Sequence, residues 1–144
     1  MFAKRNLMLV FGHPKIPCPQ FVQVEQVEQI AKISAKHCIY FKASGAYAFD
    51  LANHCTKQQV KYAVGIENLK EFVWMINFKP AYLVVYKKPE NYQNLADDYL
   101  LDARILWVID HEEQVLEALK MRIDGVIFSQ ILSFNPIVSQ DMLE

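Results

Sequence analysis

The chain has 144 residues, of which 53% are apolar and 22% charged, with a formal net charge of −1 and a pI near 6.4. A chain of this length buries about 70% of the surface its unfolded form exposes, enough for one substantial core, and the composition is globular rather than disordered. The near balance of charge supplies no field for nucleic acid or an anionic membrane surface, so neither is expected as a partner.

In chain order, Lys4 and Arg5 precede the apolar run "LMLVF" (7–11), which stops at Gly12, His13 and Pro14. The run is too short for a signal segment or a membrane span and reads as a first strand. Prolines at 14, 17 and 19 then impose a loop, since each lacks an amide donor and restricts its predecessor. The next stretch, "FVQVEQVEQIAKIS", fits two patterns. Phe21, Val22 and Val24 suit a short strand, and Val24, Val27, Ile30 and Ala31 suit a helix; a helix from about Val24 is the preferred reading.

Further strands are expected at "CIYF" (38–41), "VKYAVGI" (60–66), "AYLVVY" (81–86), "RILWVI" (104–109) and "GVIF" (125–128). Several are apolar almost without interruption, as in parallel sheets covered on both faces. Between them the period changes to that of a helix with one apolar stripe. The stripes read Ala48, Leu51, Ala52 and Cys55; Leu69, Phe72, Val73 and Ile76; Tyr92, Leu95, Ala96 and Tyr99; and Val115, Leu116 and Leu119. Asn135 as N-cap with Pro136 behind it opens a short terminal helix that Ile137, Val138 and Met142 would dock. Residues 1–144 are thus expected to form a single three-layer α/β domain. Its mainly parallel sheet of five or six strands is flanked by helices, in a flavodoxin-like or Rossmann-like arrangement.

Cys18, Cys38 and Cys55 are odd in number and lack CxxC spacing, which argues against a disulfide framework or zinc knuckle and fits a reducing cytoplasm. Cys38 and Cys55 read as small core hydrophobes. With only Gly12, Gly45, Gly65 and Gly125 there is neither GxGxxG nor GxxxxGK[ST], and no cofactor or metal is expected. GxSxG and HExxH are missing too.

Ligands of open α/β sheets bind outside the carboxyl ends of the strands. Those ends carry His13, then Ser44 and Gly45, Glu67 and Asn68, Lys87 and Lys88, Asp110 and His111, and Ser129 and Gln130. His13, Asp110 and His111 are the catalytic candidates, because an imidazole titrates near neutrality and a carboxylate can orient it. Asp110 before "HEE" reads more readily as a helix N-cap. Lys87, Lys88 and Ser129 are the ligand-binding candidates, the lysines as an anion clamp.

The segment "ILWVIDHEEQVLEALKMRIDGVIFS" resembles the final βαβ unit of phosphate-binding (β/α) barrels, including glycerophosphodiester phosphodiesterases. The resemblance spans about 25 residues. The chain is too short for eight such units and lacks that family's paired glutamates near its start, so no catalytic residue is carried over.

On the helix around position 73, Trp74, Met75 and Phe78 add apolar surface beyond the core stripe, which fits equally a cover by the terminal segment from Ile131 to Leu143 and a homodimer or partner interface centred on Trp74 and Phe78. The favoured expectation is a non-catalytic cytoplasmic protein acting through protein contacts. The alternative is a small enzyme or sensor for a phosphorylated or carboxylated metabolite bound at the strand ends.

Overall fold

The computed structural model describes residues 7–132. Seven strands and five helices follow one another: β1 Leu9–Phe11, β2 Phe21–Gln23, α1 Val27–Ile30, β3 Cys38–Lys42, α2 Ala48–Lys57, β4 Tyr62–Ile66, α3 Leu69–Ile76, β5 Tyr82–Val85, α4 Pro89–Asp98, β6 Arg104–Ile109, α5 Glu113–Lys120 and β7 Gly125–Phe128. A 3₁₀ turn, Ser129–Leu132, ends the described chain. The expected terminal helix lies outside the described residues, as do Lys4 and Arg5.

All strands are parallel and belong to one sheet in the order β1-β7-β6-β5-β4-β3-β2. This is the expected α/β domain with a parallel sheet flanked by helices, with seven strands in place of five or six. The added strand is β2. Its neighbour Val24 still donates its amide to Tyr40 O at 3.0 Å, which keeps the chain in the ladder, so the helix begins at Val27 rather than Val24 and has only four residues.

From β2 to β7 each strand lies beside its predecessor in the chain, and β1 pairs on the outer side of β7. β1 and β2 stand at the two ends of the sheet, which a flat sheet would hold about 29 Å apart at about 4.8 Å per strand. Yet the rings of Phe11 and Phe21 meet with centroids 5.7 Å apart, and Tyr82 from β5 lies 5.4 Å from Phe11 and 6.2 Å from Phe21. The sheet is therefore strongly curled. Its concave side is packed by strand residues, among them Phe11, Phe21, Tyr40, Tyr82 and Ile127, with Ile131 and Leu132 of the 3₁₀ turn against them. The helices pack on the convex side, where Leu51, Cys55, Phe72, Met75 and Ala96 meet Phe41, Val64, Val85 and Ile105.

The α2 stripe is buried as expected, while three others are narrower. Phe72 and Met75 form the core face of α3, whereas Leu69 and Val73 stay half-exposed. On α4, Tyr99 is exposed, and on α5 the buried residue is Ala118 while Leu116 and Leu119 face outward. Short helices on a curved surface touch it through one turn-to-turn line, which limits the buried arc to two or three positions. Cys38 and Cys55 are buried, and burial pushes both thiols up to about 12; Cys18 is exposed.

The amino ends of β6 and β7 are locked by a buried polar network. Asp124 Oδ2 accepts from Ile105 N at 2.9 Å and from Gln93 Nε2 at 3.1 Å, while Gln93 Oε1 accepts from Asp124 N at 2.8 Å. Arg104 Nε stands 3.6 Å from Asp124 Oδ1. Beside it, Gly125 lets β1 lie close to β7: an added Cβ would sit 2.7 Å from Leu9 Cβ and 2.8 Å from Leu9 O. Asp124→Ala, which strips the buried Ile105 amide of its acceptor and the Arg104 guanidinium of its neighbouring charge, is expected to lower stability by about 3–5 kcal/mol in denaturant melts; a loss under about 1 kcal/mol would show that the network is not a keystone.

Candidate functional site

Side chains alternate between the two faces along a strand. Phe11, Ala63, Val84, Leu106 and Ile127 belong to the concave cluster, so two-residue steps carry that face onward to the carboxyl ends. There it reaches His13 past β1, Lys42 on β3, Glu67 past β4, Tyr86 past β5, Asp110 past β6 and Ser129 past β7. The curl turns these strand ends toward one another.

The registers of β1, β7 and β6 bring three of the sequence candidates into line. Phe11 pairs with Ile127 and Ile109 pairs with Phe128, so continuing each ladder sets His13, Ser129 and Asp110 side by side. Ser129 Oγ donates to Asp110 Oδ1 at 2.5 Å. Lys15 N donates to His13 Nδ1 at 3.1 Å, which leaves the proton of a neutral imidazole on Nε2. Asp110 thus bonds the serine, and the three side chains present hydrogen-bonding groups side by side at these strand ends.

Asp110 is not the cap of α5. The N-cap position is Glu112, without a side-chain cap bond, and Gln114 reaches back so that its Oε1 accepts from Asp110 N at 2.8 Å and His111 N at 3.0 Å. The same device closes two other loops. Glu71 Oε1 accepts from Glu67 N at 2.8 Å, and Gln29 Oε1 accepts from Glu25 N and Gln26 N at 2.7 and 3.0 Å. Amides before α1, α3 and α5 are therefore occupied by their own first turns. His111 lies in the exposed α5 loop, and among the described residues no three His, Cys, Asp or Glu side chains gather as metal ligands.

Lys87 and Lys88 are exposed and part company at the strand end. Lys88 adopts φ +50° as N-cap of α4, and Pro89 behind it removes one amide donor from the helix start. Lys87 borders a cavity of about 290 Å³ with Glu67, Tyr86 and Tyr92. A second, of about 360 Å³, lies at the ends of β2 and β3 against Gln23, Lys42, Ser44 and Gly45. A larger cavity, about 770 Å³, lies at the opposite end of the sheet, where Gln93, Asp97 and Asp124 are hydrogen-bonded to one another or to the backbone of β6 while holding α4, β6 and β7 together.

Sequence reasoning missed Tyr40, Tyr86 and Lys42. Tyr40 and Tyr86 share a hydroxyl–hydroxyl hydrogen bond of 2.7 Å that spans β4. Gly65 makes room for it: a Cβ there would come within 2.8 Å of Tyr40 Oη, with Lys42 Cγ 3.6 Å away. The available signal was the polar tip on two strand residues of one parity around an in-strand glycine, which marks close approach. Gly65→Ala is expected to push Tyr40 off Tyr86 and lower stability by about 1–3 kcal/mol in thermal or denaturant unfolding; an unchanged midpoint would mean that the tyrosine moves aside freely.

No protein-family model matches the chain, and a search of curated proteins likewise gives no match. Among the described residues no helix is long and apolar enough to cross a membrane.

Proposed function

We propose that the protein binds a small phosphorylated or carboxylated metabolite at the carboxyl ends of its strands, in a reducing cytoplasm. The observation that carries this reading is that Lys42, Glu67, Tyr86, Asp110, Ser129 and His13 share the strand parity of the concave face at one end of a curled parallel sheet, where Ser129 bonds Asp110 and Tyr86 bonds Tyr40. A mixed set of donors and acceptors around a largely apolar floor is the usual make-up of a small-molecule site. Binding of this kind needs no nucleophile, only donors and acceptors held in place, as Asp110 and Ser129 hold one another.

The test is thermal unfolding of the full chain with phosphorylated metabolites and small carboxylic acids. A ligand at 100 times its dissociation constant is expected to stabilise by about 2.7 kcal/mol, roughly 5–10 °C in Tm. Asp110→Asn and His13→Ala should each reduce that shift while leaving the free protein's Tm nearly unchanged. No saturable shift with any compound, or full shifts in both variants, would sink the reading.

A second reading, protein association through α3, is favoured by a separate observation. Leu69, Val73 and Trp74 are each about half exposed, at 49, 49 and 48%, and Phe49 of α2 extends the surface through an edge contact with Phe78 at 6.0 Å. Phe78 itself is pinned, since its carbonyl accepts from Thr56 Oγ1 at 2.6 Å and Tyr62 Oη at 2.8 Å. Met75 belongs to the core. Trp74→Gln with Phe49→Gln should therefore convert any dimer to monomer in light scattering without unfolding it, whereas a wild-type chain that is monomeric at high concentration would remove the homodimer.

A further inference from the structure

We propose that Tyr86 is the hydrogen-bond donor that fixes an oxyanion, a carboxylate or phosphate oxygen, in the strand-end site, with Tyr40 as the positioning residue behind it; this rests on the strand-end reading above. The Tyr40 and Tyr86 hydroxyls lie 2.7 Å apart. Two hydroxyls bring two protons to one hydrogen bond, so one proton must be directed elsewhere.

The surroundings decide which. Tyr40 is 1% exposed, and its oxygen is seated over Gly65. Among the described residues Tyr86 is its hydroxyl's hydrogen-bond partner. A buried hydroxyl left without an acceptor is costly, so Tyr40 donates to Tyr86. Burial first, and the bond to Tyr86 second, hold the Tyr40 hydroxyl above its ordinary range, which keeps it protonated and able to donate. Tyr86 is only half-buried, and having accepted from Tyr40 it sends its own proton outward to the mouth. A hydroxyl that accepts one hydrogen bond is polarised into a stronger donor.

Two charges define what that donor meets. Lys42, at the carboxyl end of β3, passes beside Gly65, its Cγ 3.6 Å from where a Cβ there would stand. Glu67 lies close enough to Tyr40 to act on its hydroxyl electrostatically, so a bare, highly charged anion is opposed there. An oxyanion that also carries hydroxyl or ammonium groups satisfies both, its oxygen facing Tyr86 and Lys42 and its donors facing Glu67.

Calorimetric titration of the full chain with inorganic phosphate and, separately, with L-malate distinguishes the two sources of the oxyanion. The wild type is expected to bind at least one of them, Tyr86→Phe to bind it about tenfold or more weakly, and Tyr40→Phe to show a smaller loss because Tyr86 survives without its anchor. Wild-type binding with unchanged affinity in Tyr86→Phe overturns the assignment of Tyr86 and leaves the strand-end reading standing. No binding of either compound by the wild type overturns both. If Tyr86→Phe does not fold, Tyr40→Phe carries the test, and unchanged affinity in it overturns the proposal.

Discussion

The contact among Phe11, Phe21 and Tyr82 is the constraint on which the remaining architecture depends, because it joins the two ends of the strand order across the middle of the sheet. Parallel strands taken in sequence, with right-handed crossovers, send every helix to the same side. Among the described residues the other side carries no α-helix and is filled by the strands themselves, with Ile131 and Leu132 of the 3₁₀ turn against them. That requires large side chains where the wall is open and small ones where it is crowded: Phe11, Phe21, Tyr40 and Tyr82 fill the interior, while Ala63 and Gly65 on β4 leave room for Tyr40 to lie across. Substituting one member of this set changes the space available to the others, so these positions act as a unit.

Much of this order is legible in the sequence, and the failures have identifiable causes. Five long apolar runs became strands close to their expected bounds because continuous Val, Ile and aromatic runs leave little alternative. The three-residue β2 escaped because Val24 fits both periods, and only its bond to Tyr40 decides between them. Helix ends were obscured for a different reason. Gln59, Leu100 and Arg122 hold left-handed conformations directly after α2, α4 and α5, at φ +56°, +56° and +59°, where glycine is the usual sign. With four glycines in the chain, that sign is missing at each of these ends.

The same distinction applies to candidate residues. Strand-end listing by sequence found His13, Asp110 and Ser129, and the ladders align them, because residues just past adjacent parallel strands are neighbours whatever their separation in the chain. Asp110 before an acidic helix start looked like a cap because the competing partner, Ser129, is 19 residues away. Tyr86 looked like the last residue of a strand, and its pairing with Tyr40 spans 46 residues and an intervening strand. Interactions at that separation depend on curl and register, neither of which periodicity encodes.

The two ends of the sheet handle polar groups in opposite ways, and this separates scaffold from site more clearly than cavity size does. At the amino end, Gln93, Asp97, Arg104 and Asp124 bond to one another and to the backbone across α4, β6 and β7. Such closure rigidifies: each partner removed strands a buried group. At the carboxyl end, His13 is held through Nδ1 and the Tyr86 hydroxyl is paired with that of Tyr40; in the proposed site, Nε2–H of His13 and the Tyr86 hydroxyl proton are the groups left to donate. Groups fixed by one atom with another left to donate are preorganised at little entropic cost to binding. The amino end thus holds the curled sheet in shape, and the rigidity it supplies lets the carboxyl end present donors in fixed directions.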